Sequence, residues 1–220
     1  MLSGNTITEY SLRNKKHFPL IFESLKTASA VVLAAPLYVD GIPSHVLHFL
    51  LEAEQFCKAC HFKLYVISNS GFVEGRHSEM HLKQYRCWCE RAGVVYGGGL
   101  GIGGGVMLHL VFYTVLLLSI AECIIRGMIN LFAGGASFFD NNLNSLLWNI
   151  TIWIIYDIGM LICTAQLAAA VKKHKTAKDR YTRVMVPSFV FLILADAYMV
   201  ILALLHGTLP FSLFRKDGHE

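Results

Sequence analysis

At 220 residues with 55% apolar side chains and a positive mean hydropathy, the chain is more apolar than a soluble domain requires, since soluble chains run at about 45 to 50%. A formal charge of +4 is too small to mark a nucleic-acid partner. Residues 1 to 20 are polar, with Arg13, Lys15 and Lys16, so no cleavable signal sequence is expected and the first half is assigned to the cytoplasm.

Up to Gly105 charges recur every few residues, ten Lys/Arg against eight Asp/Glu, whereas Val106 to Val171 hold only Glu122, Arg126, Asp140 and Asp157. A cytoplasmic domain over 1–105 followed by a membrane domain over 106–220 is therefore predicted. Within the first, TITEYSL (Thr6 to Leu12) reads as a strand and Leu20 to Thr27 as a helix. The apolar runs AVVLAAP (Ala30 to Pro36), KLYVIS (Lys63 to Ser68) and VVYGGG (Val94 to Gly99) suit parallel strands buried on both faces. Ser44 and Ser78 are placed to cap the helical patterns between them, and Gly93 to close the second. Strand and helix in alternation predict right-handed crossovers and a doubly wound parallel sheet.

Ligands of such sheets sit beyond the carboxyl ends of the strands. Those ends here are PLYVDGIPSH (Pro36 to His45), NSGFVEGR (Asn69 to Arg76) and GGGLGIGGG (Gly97 to Gly105). The first two join turn formers to an aromatic, Tyr38 or Phe72, that suits an apolar ring. The third, free of side chains, admits either a planar ligand or another backbone. Gly99, Gly101 and Gly104 satisfy GxGxxG, but the acid some twenty residues on is Glu122, inside an apolar stretch, so the dinucleotide fingerprint is rejected. Cys57 and Cys60 form CxxC, and Cys87 and Cys89 form CxC, on helical patterns where cysteine commonly serves as a small apolar residue; no metal site is expected. HSEMH (His77 to His81) lacks the glutamate of a zinc protease motif.

Three later stretches are long enough to span a bilayer: 106–132, 146–171 and 184–205. In the third, thirteen Leu, Ile, Val and Phe residues at roughly −0.3 to −0.6 kcal/mol each outweigh Asp196 at about +3 kcal/mol. The connection over 172–183 carries six Lys/Arg and that over 133–145 none, so the positive-inside rule places the former in the cytoplasm and predicts a multi-pass protein of the cell membrane, against Arg215 and Lys216 near the far terminus. Glu122 and Arg126 stand four apart and are expected to pair. Together with Asp157 and Asp196 they are candidates for bundle contacts or for proton or electron relay. His109 has no histidine partner within the other spans, so haem ligation is not expected.

The ordered motifs AVVLAAPLYVDGIPSH, YVISNSGFVEGR and WCERAGVVYGGGLGIGGG resemble the flavodoxin-like NAD(P)H-dependent FMN reductases, especially membrane-anchored members, over residues 20 to 105. The resemblance implies an incomplete flavodoxin-like parallel sheet followed by three transmembrane helices. It implies FMN as cofactor, with Pro36, Leu37, Tyr38, Val39 and Asp40 on one side of the isoalloxazine ring, Asn69, Ser70, Gly71, Phe72 and Gly75 on the other, and Gly98 and Gly99 near its edge. NAD(P)H would be the electron donor and a quinone-like or other small molecule the acceptor, with the flavin carrying the hydride chemistry. The chain departs from the family in lacking the first strand and its phosphate-cradling loop. Each backbone contact to a phosphate dianion is worth about 1.5 to 3 kcal/mol, so FMN is expected to bind weakly. The alternative is a non-catalytic membrane protein, open to homo-oligomerisation, whose degenerate domain is a scaffold. A transporter using Asp157 and Asp196 is a third reading.

Overall fold

The computed structural model describes residues 6–132, 142–184 and 187–207, and only part of the side chains in the two long helices that follow Gly104. The chain divides into two units, one ending at Val184 and the other beginning at Met185.

Residues 6–12, expected as a strand, form none. Instead Tyr10 and Leu12 pack onto the core, and the Tyr10 hydroxyl is 2.8 Å from Ser24 Oγ. Helix α1 (Phe18–Thr27) has Pro19 in its first turn, where a missing N–H costs no helical bond. It buries Phe18, Ile21, Phe22 and Leu25, the one-sided spacing of an amphipathic helix. Strand β1 (Ala30–Pro36), helix α2 (Ser44–Cys57), strand β2 (Lys63–Asn69), helix α3 (Glu79–Ala92) and strand β3 (Val95–Ile102) follow. Neither serine makes a side-chain cap: Pro43 precedes α2 with Ser44 already helical, and Ser78 turns its hydroxyl into the interior. Gly93 does close α3, at φ 71°.

The strands lie in the order β1-β2-β3, all parallel, with Leu33 opposite Val66 and Val66 opposite Gly99. Each crossover moves the same way across the sheet, so right-handed connections put α2 and α3 on one face. There they join α1 around Leu33, Ala35, Leu64 and Val66. Phe22 stacks on Phe49 and Phe56, with ring centroids 5.6 and 4.5 Å apart. The reversal of direction that makes a sheet doubly wound is not found among the described strands, and on the other face Val32 and Ala34 of β1 stay exposed.

Helices α4 (Gly105–Phe132) and α5 (Asn142–Lys172) follow. The end of α5 returns to the sheet: Leu167 and Val171 pack on Tyr65 and Leu100, and the Tyr65 hydroxyl donates to Lys175 O at 2.9 Å. The stretch expected to span as 146–171 thus ends as a cover for the second face, because a leucine-bearing helix suits a sheet as well as lipid and hydropathy alone does not separate the two. The basic connection is likewise not a free loop. Its residues Arg180–Tyr181 form strand β4, parallel to β3 with Leu100 opposite Arg180. Helix α6 (Ser188–Leu205), in the second unit, is the one helix among the described residues long and apolar enough to cross a membrane, with a mean hydropathy of 2.4. Glu122 and Arg126 pair as expected, at 2.7 Å. Asp140, Arg215 and Lys216 lie outside the described residues, as do the side chains of His109 and Asp157.

Candidate functional site

The carboxyl edge of the sheet begins where Pro36 and Asn69 are register partners, and Leu37 N–H extends the ladder to Asn69 O at 2.8 Å. The first loop then folds back at once. Tyr38 and Gly41 exchange both backbone hydrogen bonds, at 2.8 and 3.2 Å, around Val39 and Asp40. Those two central residues have φ of 44° and 58°. Such a turn is the natural place for Asn-Gly. A β-branched valine there is strained by roughly 1 to 2 kcal/mol, and strain of this kind gathers at ligand sites and switches. Val39 is 99% exposed and Tyr38 62%, so neither contributes to the core.

The second loop is held on both flanks. Ser70 N–H donates to Ile102 O at 2.9 Å and Gly104 N–H to Phe72 O at 2.6 Å, tying it to the start of α4. Gly75 N–H donates to Thr182 O at 2.7 Å and Val184 N–H to Val73 O at 3.0 Å, tying it to the segment around β4. Phe72 remains 54% exposed, with its ring 4.5 Å from that of His77.

Pro36, Tyr38, Val39, Asp40, Asn69, Gly71 and Phe72 are therefore together at an open edge, with Leu37 half-buried among them. The other four expected residues are elsewhere or engaged. Ser70 is buried under Ile102. A Cβ on Gly75 would run into Gly101 O. Gly98 and Gly99 lie mid-strand opposite Tyr65 and Val66, roughly 10 Å before the strand ends. A Cβ on Gly98 would come within 2.5 Å of Ala177 O, and one on Gly99 within 2.6 Å of the Tyr96 hydroxyl. The glycine run admits protein backbone and side chains, the second of the two options its composition allows.

What reading the sequence missed is the group that holds this packing. Asp179 accepts from Arg86 Nη2 at 2.6 Å, the Tyr96 hydroxyl at 2.9 Å and Gly99 N–H at 2.8 Å. Burial, then the Asp179 carboxylate, push the Tyr96 phenol upward, so it stays a donor. The only signal was an isolated acid inside a run of bases.

Beneath the loops, the fully buried His81 shares a 2.7 Å hydrogen bond between Nδ1 and Ser68 Oγ. Its Nε2, with Ser78 Oγ and Tyr85 Oη, has no hydrogen-bond partner among the described residues. Burial depresses its pKa to about 4, so the ring is neutral near pH 7. Burial also raises the Cys57 thiol to about 11 and the Cys89 thiol to about 12. Cys87 is exposed while Cys57, Cys60 and Cys89 are buried, so the two cysteine pairs do not face one point.

The chain matches no protein-family model, and no curated protein or solved structure matches it.

Proposed function

We propose that the chain is a membrane-tethered, flavin-dependent NAD(P)H oxidoreductase that delivers electrons to a quinone-like or other small acceptor. In this reading it is a multi-pass protein, crossing the bilayer through α4, the first part of α5, and α6. The observation that carries it is the pair of aromatic-tipped loops on adjacent parallel strands, one of them built on the strained Val39–Asp40 turn. The edge fits a ring and not a phosphate. Tyr38 and Phe72 offer exposed aromatic faces, but the glycine turn that opens α4 spends its amides on protein: Gly103 N–H donates to Thr182 Oγ1 and Gly104 N–H to Phe72 O. A bound flavin would supply the hydride chemistry, while Tyr38 and Phe72 would sandwich its ring and exclude water from it.

This fit distinguishes two flavins. Riboflavin, which lacks the phosphate, is expected to bind the full chain in detergent within about threefold of FMN, read by quenching of flavin fluorescence. Tyr38→Ala or Phe72→Ala is expected to weaken either by about tenfold, the loss of one ring contact of roughly 1 kcal/mol or more. Failure of both flavins to quench would defeat the proposal. It would leave the second reading, a non-catalytic scaffold on the membrane. That reading is favoured by the glycine run, whose open space is filled by Ala177, Tyr65 and the Gly75 loop.

A further inference from the structure

The segment over 172–184 makes a second recess, on the face of the sheet opposite α3. Along it the side chains alternate as in any strand. Asp179 turns to one face, where its carboxylate is taken up by Arg86, Tyr96 and Gly99. Lys178 and Arg180 turn to the other and line a concavity of about 170 Å³ with Gln166 and Cys163 of α5 and the bare backbone of Gly99. Neither cation forms an ion pair among the described residues, and the acid between them is engaged on the far side. Lys172, Lys173 and Lys175, all exposed, precede them and add to the positive field.

We propose that this recess binds a phosphate group, carried by a lipid headgroup or free in solution. An arginine offers a planar fork and a lysine a mobile point charge, a complementary pair for a tetrahedral dianion. The Gln166 amide supplies a further donor. A phosphate needs roughly the room of two or three waters at about 30 Å³ each, which the recess provides.

Isothermal titration of the full chain in an uncharged detergent tests this with three probes: inorganic phosphate, short-chain phosphatidic acid, and phosphatidylcholine of the same chain length. Saturable binding of phosphate or phosphatidic acid, but not of phosphatidylcholine, is expected. Lys178→Gln combined with Arg180→Gln should weaken it at least tenfold, and Lys173→Gln less than twofold. Binding of phosphatidic acid alone assigns the ligand to a headgroup, and binding of inorganic phosphate assigns it to solution; each sustains the proposal. Protection of Cys163 from maleimide by the bound probe gives a readout that needs no variant at the site. Unchanged affinity in the double variant, saturable binding of neither phosphate compound, or no protection of Cys163 would each overturn it.

Discussion

The helical face of the sheet and the segment that closes its β3 edge are held by different physics. On the first, α1, α2 and α3 bring a continuous cluster of aromatic and aliphatic side chains, with Phe18, Phe22, Phe49, Leu82 and Trp88 at its centre. Its parts are near neighbours in sequence, and the one side chain-to-backbone bond of Trp88, to Leu50 O at 2.8 Å, merely satisfies an indole inside that apolar mass. The second face has a small apolar patch of Tyr65, Leu100, Leu167 and Val171. The segment over 172–184, along the β3 edge, is held instead by backbone contacts across glycines and by Asp179, whose carboxylate lies on the α3 side, from residues some eighty to a hundred and ten positions away. The first face tolerates exchange among apolar residues of like volume. The segment over 172–184 depends on the absence of side chains and on one carboxylate.

The largest effect is therefore expected from a single methyl group. Gly101→Ala would place its Cβ 2.5 Å from Gly75 O and 2.8 Å from the Tyr181 ring, contacts that backbone and packed ring cannot relieve locally. Overpacking of this severity costs about 3 kcal/mol. Gly71→Ala, whose Cβ meets nothing within 4 Å, is the matched control and should cost under about 0.5 kcal/mol. Thermal unfolding of both variants in detergent decides it; equal midpoints would show that the close backbone approach at Gly101 constrains nothing.

The first face has its own weak point, in the buried His81. Its pKa is near 4 in the fold and about 6.5 when unfolded. Between those values the unfolded chain binds a proton that the folded chain does not, so stability is full above the upper value and falls as pH drops through the window. At about 1.4 kcal/mol per unit the total is on the order of 3 kcal/mol by pH 4. His81→Gln should flatten this slope relative to the unmodified chain in hydrogen exchange of the β2 amides at pH 7 and pH 4.5. Parallel slopes would remove His81 as the cause.

How far the sequence reaches follows the same divide. The first face was legible because continuous apolar runs and one-sided helical spacing are local signals, and β1, α2, β2 and α3 lie within a residue or two of where those signals put them. The serine caps failed because Ser78 is drawn inward by the core while Pro43 takes the capping position before Ser44. At the β3 edge, the third strand was read as ending at Gly99 and the glycines from 97 on as its ligand-facing end, because glycine disfavours strands. Only the arrival of Ala177, Thr182 and Gly75 from elsewhere turns them into the interior of β3. The basic run over 172–183 gave a charge count but no hint of β4, since two residues of strand have no periodicity. At the candidate site the turn-forming loops were legible, whereas the burial of Ser70 under Ile102 and of Gly75, Gly98 and Gly99 under the distant segment was not.

Cutting the polar tether of the 172–184 segment should cost less than the glycine clash. Asp179→Ala strands the Gly99 N–H and the Tyr96 hydroxyl, and the carboxylate it removes is only 13% exposed. A loss of about 2 kcal/mol is expected for local opening, which is roughly a thirtyfold rise in the open population. Trypsin cleavage after Lys175 and Lys178 should accelerate by that factor while protection on the α1–α3 face is unchanged. Loss of protection on the α1–α3 face at the same time would mean that the segment and that face unfold as one unit.

The smallest expected effect has the opposite sign, and it concerns neither region but the carboxyl edge of the sheet. Val39 is held at φ 44° with its side chain almost wholly in solvent, so nothing in the packing of the domain requires a valine there. Val39→Gly removes the steric conflict and leaves the Tyr38–Gly41 hydrogen bonds in place. If release of strain outweighs the added freedom of the unfolded chain, stability should rise by about 1 kcal/mol. On the proposed function, the same substitution loosens the loop that carries Tyr38 and weakens flavin binding severalfold. A variant that is more stable and binds less is the signature of strain retained for a ligand. One that is more stable and binds equally well would leave the turn strained without connecting it to the site.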